Sequence, residues 1–155
     1  LAKLISAKFL HPEIREKGEA YGGGATSNPS SGVFSFYSYR DPNCLKTLDA
    51  FDESINWILS NKFSDRDIQE AKLGIFQAVD KPILPGDRGL RHWLSSVTDE
   101  IFQEHRCRIR SVQREDLIKV ATEYLKNGTI GISVIGPETT AKTLDNSWNV
   151  EMLLG

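Results

Sequence analysis

Arg15 and Tyr21 stand six positions apart, the arginine near the end of a helix-type segment and the tyrosine at the start of a strand-type one. A guanidinium presents N–H donors in a fixed planar fork, and a phenol adds an O–H donor that stays protonated at neutral pH. Both suit the carbonyl oxygens of a peptide backbone. Gly18 marks a turn between them, and Tyr21 is followed directly by Gly22, Gly23 and Gly24. Glycine weakens a strand and marks a bulge or the close approach of another backbone or ligand. Arg15, Tyr21, Gly22 and Gly23 therefore form the candidate site. A peptide would lie along the strand by β-augmentation, with Arg15 and Tyr21 addressing its carbonyls. The residues alone also fit a plainer picture, and on their own they favour it. Arg15 would be a surface arginine paired with Glu13 or Glu16, Tyr21 would pack on a sheet, and the glycines would form a flexible hairpin. A phosphate loop does not fit, because no Gly-Lys-Ser/Thr and no strand-to-helix step follow the glycines.

The elements that must hold these residues are legible from periodicity. Leu1, Leu4, Ile5 and Phe9 share one helical face with no capping residue ahead of them, as in a helix entered midway. Pro12 suits the opening of a further turn, and Gly18 a helix stop. Ala20–Ser27 is predicted as a strand, Ser27 to Gly32 as a hairpin loop, and Val33–Arg40 as a second strand that sets Phe34 and Phe36 against Val33, Ser35, Tyr37 and Tyr39. Asp41-Pro42 suits the start of a helix whose stripe is Leu45, Leu48, Phe51, Ile55 and Ile58. Ser64 with Asp67 resembles a capping box for a helix burying Ile68, Ala71, Ile75, Phe76 and Val79. Further helices are expected from Leu90 to about Arg106 and from about Arg114 to Asn127. A short apolar strand is expected at Thr129–Ile135. Phe51, Ile55, Ile75, Phe76, Trp93, Leu94, Leu117 and Tyr124 are expected in the core. A hairpin with helices collected on one face makes the fold class α+β, a two-layer sandwich of mainly antiparallel sheet with helices on one face. Three strands make a thin sheet, so further strands are expected from a larger domain.

Bulk properties narrow the function. A chain of 155 residues is one domain or a piece of a larger protein. A hydrophobic content of 39% and a net charge of −2 give no reason to expect nucleic acid or an anionic membrane as partner. The basic run from His105 to Arg114 lacks interleaved aromatics and suits a solvated helix end. No apolar run approaches the roughly 20 residues a membrane span needs. Cys44 and Cys107 belong to no CxxC pair and fit free, partly buried thiols, with a disulfide the alternative that spacing alone does not decide. His11, His92 and His105 show no metal-ligand spacing. Glu104-His105 lacks the matching histidine, because position 101 is Ile101.

The segments FLHPEIREKGEAYGGGA and GVFSFYSYRDPN, then a helix ending in NW, SDRDIQEAKLGIFQAVD and SVIGPE, resemble the C-terminal part of pitrilysin-type, inverted-motif zinc metallopeptidases. The resemblance covers nearly the whole chain. It implies that residues 1–155 are most of the last α+β domain of a multi-domain peptidase. It also implies zinc held by an HxxEH helix in the N-terminal half, absent from this chain. Arg15 and Tyr21 would reach across a closed chamber to that centre as catalytic and substrate-binding groups. The implied partners are peptide substrates and the N-terminal half of the same polypeptide. The implied activity is ATP-independent degradation of cleaved mitochondrial presequences and other short unstructured peptides in the mitochondrial matrix, with this chain inactive alone. Other members of the same fold are non-catalytic scaffold or recognition subunits. A small-molecule-binding regulatory domain is a third option, supported by no motif. One departure stands out: Glu19 occupies a position where the family pattern has glycine. If the backbone there has positive φ, glutamate strains the approach to Tyr21.

Overall fold

The computed structural model describes residues 1–152. Its elements form a mixed α+β arrangement around one two-stranded antiparallel sheet. Helix α1 opens at Ala2–Ile5 and continues without a break, in wider π-type turns, as Ser6–Lys17. Pro12 lies inside it rather than opening a new turn. The widened turns accommodate a proline that has no N–H to give to the preceding turn. Strand β1 is Gly22–Asn28 and β2 is Val33–Tyr39, paired from Gly22↔Tyr39 to Asn28↔Val33. Asn28 shapes the hairpin, its Oδ1 accepting the Ser30 N–H at 3.0 Å, and Gly32 supplies φ 67°.

Phe34 and Phe36 of β2 pack on the core, and Phe36 stacks on Phe51 of α2 (Cys44–Leu59) with centroids 5.2 Å apart. Val33, Tyr37 and Tyr39 alternate with them and are exposed. Asn43, not Asp41, is the N-cap of α2. Asp41 instead turns the chain into the helix, its Oδ1 accepting the Asn43 N–H at 2.8 Å. Leu4, Ile5, Leu10 and Ile14 of α1 meet Ile55 and Ile58 of α2, and Ile68 of α3 (Asp65–Val79) completes that side. Leu117 joins from α6, which runs as Arg114–Val120 and widens into Ala121–Lys126, bringing Ala121 and Leu125. Arg114 sutures α6 to the α2–α3 connection. Its guanidinium donates to Asn61 Oδ1 and the Phe63 carbonyl, pairs with Asp65 and lies over the Phe63 ring.

Several sequence expectations give way here. Leu90 to Arg106 is two helices, α4 (Leu90–Ser95) and α5 (Asp99–Ser111), divided by left-handed Ser96 and restarted by the Thr98 cap, which accepts the Ile101 N–H. The Thr-Asp-Glu start signal was present in the sequence, masked by continuous apolar spacing. Trp93 and Leu94 are 79% and 67% exposed rather than core. Ile75 and Phe76 are half-buried. Tyr124 is exposed because the widened turn of α6 rotates it off the Ala121–Leu125 face. Thr129–Ile135 forms no strand, and Ile130, Ile132 and Ile135 are exposed. Strand preference is realised against a neighbouring strand and a packed surface, and β1 and β2 are the strands of the sheet among the described residues. Cys107 is exposed and Cys44 half-buried, both as free thiols. A short helix, α7, covers Glu138–Ala141.

The α1–α3 contact carries a pH signature. Ser64 caps α3 in the expected box, and the Asp67 carboxylate also pairs with Lys8 of α1 at 2.8 Å. The Lys8 ammonium first, and then the Ser64 N–H and hydroxyl, hold the Asp67 carboxyl down at about 2, below its ordinary 3.8. A folded pKa below the unfolded one contributes stability above pH ~4 that drains away as pH falls towards 2. Asp67→Asn is therefore expected to flatten the loss of stability between about pH 4 and 2, read by urea denaturation across that range. An unchanged acid slope would show that the contact is too well solvated to matter.

Candidate functional site

The site is the junction where α1 turns into β1. Ile14 and Ala20 are buried, whereas Arg15 and Tyr21 are exposed, so the chain alternates anchors with free side chains through the turn. The turn itself is closed by backbone. The Glu19 N–H donates to the Arg15 carbonyl at 3.2 Å and the Ala20 N–H to the Ile14 carbonyl at 3.0 Å. This is a left-handed helix stop one residue wider than the usual Schellman closure, as befits a helix ending in π-type turns. The left-handed residue is Glu19, at φ 62°. The sequence expectation of a strained glutamate at that position is therefore met.

The glycines fall into two groups. A Cβ on Gly23 would lie 2.4 Å from Ile14 Cδ1 and 2.9 Å from the Tyr37 carbonyl oxygen. On Gly24 it would lie 2.9 Å from Ser6 Oγ. Both positions are filled by the approach of α1, so close backbone packing accounts for them without a ligand. The Ser6 hydroxyl then accepts the Ala25 N–H at 2.7 Å and donates to the Ala25 carbonyl at 3.2 Å, fastening helix to strand. Gly22 differs: nothing lies within 4 Å of its Cβ position. Of the two glycines assigned to peptide contact, Gly22 has open space above it and Gly23 lies under α1.

Tyr21 is 70% exposed but not isolated. Its N–H donates to the Arg40 carbonyl at 3.3 Å, which extends the ladder by one rung. Its ring meets Tyr39 edge to face at 6.1 Å. The Arg15 guanidinium makes no ion pair among the described residues. Glu13, one of the two alternative partners in the plainer picture, is held by Lys17 at 2.6 Å. The far side of the junction is braced by Asn43, whose Nδ2 donates to the Gly18 carbonyl at 3.0 Å. Between α1 and α2 there is an open cleft of about 270 Å³ lined by Glu13, Lys17, Lys46 and Asp49, charges of both signs with no convergent set of ligands. Ser6, Arg40 and Asn43 were not singled out from the sequence. Asp-Pro-Asn after a strand is an Asx-turn signal that marks Asn43, but nothing in the sequence tells which carbonyl it reaches. No three His, Cys, Asp or Glu side chains converge as metal ligands among the described residues.

Comparison with known proteins gives these residues a context. The family model described as PreP C-terminal domain matches residues 1–135. The chain is 50% identical over 153 residues to the mitochondrial presequence protease of Danio rerio, covering 97% of this chain and 15% of that protein. It is 46% identical over 153 residues to the one from Mus musculus, again covering 97% of this chain and 15% of that protein. With the Saccharomyces cerevisiae protein it shares 44% over 154 residues, covering 99% of this chain and 16% of the relative. The chain thus spans about a sixth of the length of these relatives.

The left-handed turn makes a direct test. Glycine carries no Cβ penalty at φ 62°, whereas other residues lose roughly 1 kcal/mol there. Glu19→Gly is expected to raise the melting temperature of the chain by about 2–4 °C. A lower melting temperature would mean that the Glu19 side chain contributes more than its backbone strain removes.

Proposed function

The chain belongs to the PreP C-terminal domain family, and from that membership we propose that it is the C-terminal, substrate-binding part of a mitochondrial peptidase that degrades cleaved presequences and other short unstructured peptides. The relatives are named as mitochondrial presequence proteases, and the chain matches one segment of each. In this proposal residues 1–155 are most of the last of several pitrilysin-type domains. The full sandwich then includes strands from the rest of the polypeptide. Trp93, Leu94, Ile130, Ile132 and Ile135 are exposed large apolar side chains, and burial against the rest of the polypeptide would account for them. The protein acts in the matrix.

The peptidase is proposed as a zinc enzyme whose metal is held by its N-terminal half. The residues of this chain do not fit a metal site among those described, so none of its steps is assigned here. What this chain supplies is hydrogen bonding to the peptide. Arg15 offers a planar fork of donors, and the exposed Tyr21 offers one hydroxyl. Negative charge gathers on the scissile carbonyl oxygen in any hydrolysis by an attacking water. Donors fixed in advance around that oxygen stabilise it more than mobile water does. The observation that carries this assignment is the junction itself. Two exposed donor side chains flank a turn anchored by buried Ile14 and Ala20, and Glu13, a ready partner for Arg15, is already held by Lys17. A non-catalytic scaffold subunit of the same fold is the competing assignment, and it leaves both donors without a task.

The kinetics of Arg15→Lys and Tyr21→Phe in the full-length protein separate these roles. Arg15→Lys is expected to impair turnover, because an ammonium cannot reproduce the fork. Tyr21→Phe is expected to lower kcat by roughly 10²–10³ if the hydroxyl faces the developing oxyanion. It would raise KM with kcat little changed if the hydroxyl holds only the bound peptide. Both variants keep their melting temperature, since neither side chain is buried. Wild-type kinetics for both on a short fluorogenic peptide would remove this stretch from the active site.

A further inference from the structure

We propose that Arg40 is a positioning residue for Tyr21, fixing the phenol through its backbone and its guanidinium together. The inference rests on the proposed contact between Tyr21 and the peptide, and it names the group that makes such a contact reproducible.

Arg40 lies across the ladder from Tyr21, one rung beyond the Gly22↔Tyr39 pair. Its carbonyl accepts the Tyr21 N–H at 3.3 Å. Its guanidinium carbon stands 5.7 Å from the Tyr21 ring centroid and 5.4 Å from that of Tyr39. The two rings themselves meet edge to face. A cation over two mutually perpendicular rings is favoured by the negative faces of both. Arg40 is also held in a left-handed conformation, φ 49°, which a residue with a β-carbon adopts only where its surroundings impose it. That imposition is visible on its far side. Asp41 accepts the Asn43 N–H, and Asn43 donates to the Gly18 carbonyl at the end of α1. The segment that follows Arg40 is thereby tied to the end of the helix that carries Arg15. The second carboxylate oxygen of Asp41, Oδ2, is buried beside this turn with no hydrogen-bond partner among the described residues.

The need for such a device follows from exposure. A tyrosine 70% exposed to solvent has no core packing to select its χ1 rotamer. Its hydroxyl would sweep an arc and meet a peptide carbonyl only part of the time. Contacts with the Tyr39 edge and the Arg40 cation narrow that arc without burying the ring, leaving the hydroxyl free for substrate. Neither contact is strong, so the effect is a population of aligned rotamers rather than an on–off switch.

The test uses full-length protein, Arg40→Met and Arg40→Lys, each made with Tyr21 intact and with Tyr21→Phe. Both replacements keep a β-carbon and a long side chain, so the backbone strain at position 40 is unchanged and folding is preserved. With Tyr21 intact, Arg40→Met is expected to lower kcat/KM on a short fluorogenic peptide by about two- to fivefold, the scale of exposed cation–π contacts. Arg40→Lys, which keeps the cation, should recover part of that loss. In the Tyr21→Phe background Arg40→Met should change kcat/KM by less than about twofold, because no hydroxyl remains to be aligned. An equal loss in both backgrounds would overturn the inference, since Arg40 would then act independently of Tyr21. Full activity of Arg40→Met beside a damaged Tyr21→Phe would also overturn it while leaving the role of Tyr21 intact. Wild-type kinetics of Tyr21→Phe itself is the separate result that would remove the assignment of Tyr21, and with it this inference.

Discussion

Helix α1 lies so close to β1 that two residues of the strand have no room for a β-carbon. Gly23 is filled by Ile14 Cδ1 and the Tyr37 carbonyl, and Gly24 by the Ser6 hydroxyl. Everything at the candidate site depends on that approach. It buries Ile14, which pulls the last turn of the helix onto the sheet, and it forces the chain to reverse within Gly18, Glu19 and Ala20. Arg15 and Tyr21, on either side of the reversal, are left exposed beside its buried anchors, Ile14 and Ala20. Interiors pack at near-crystalline density, so a methyl group at either glycine would have to displace the Ile14 or Ser6 side chain that seats the helix.

Around this contact the remaining ties are local. Ser6 fastens α1 to Ala25, Lys8 fastens it to the cap of α3, and Asn43 holds its C-terminal carbonyl from the start of α2. Each tie crosses between elements distant in sequence. The result is a junction braced from three sides. The stretch from Lys81 to Leu94 is mostly exposed and adds little to it. The contrast fits a chain whose first half positions a site and whose later surface carries apolar side chains outward, as the proposed multi-domain assembly requires.

The sequence foretold the first half of this fold far better than the second. The hairpin, the α2 stripe and the Ser64 capping box are local signals whose residues touch one another, so spacing alone finds them. Trp93 and Leu94 share a helical face with Leu90, but apolar spacing says only that a face exists, not that anything covers it. Thr129–Ile135 is similar: its composition suits a strand, yet a strand is a relation to a neighbour. Tyr124 was misplaced because a π-type turn shifts the register of burial by a fraction of a turn, and no residue announces it. Within the candidate site, residue type and spacing marked Arg15 and Tyr21 as donors, but only the family resemblance set them above a plain surface pair. The strain at Glu19 was legible from the missing glycine. Arg40 was not, because its contribution comes from a cross-strand contact. The glycine run was half explained: close approach was expected, but the approaching group at Gly23 and Gly24 is α1 itself.

The most direct test of the claim that this packing sets the junction is amide hydrogen exchange on the chain carrying Gly23→Ala. The amides of Glu19, Ala20 and Tyr21 donate to the carbonyls of Arg15, Ile14 and Arg40, and so report the junction alone. A methyl placed 2.4 Å from Ile14 Cδ1 and 2.9 Å from the Tyr37 carbonyl oxygen must displace the Ile14 side chain that seats α1, and it crowds the β1–β2 pairing as well. These three amides are then expected to exchange at least about tenfold faster than in the unsubstituted chain, while amides around Ile55 and Ile58 in α2 keep their protection. Unchanged protection at Glu19, Ala20 and Tyr21 would contradict the account, because the junction would then hold its shape without the close approach of helix and strand.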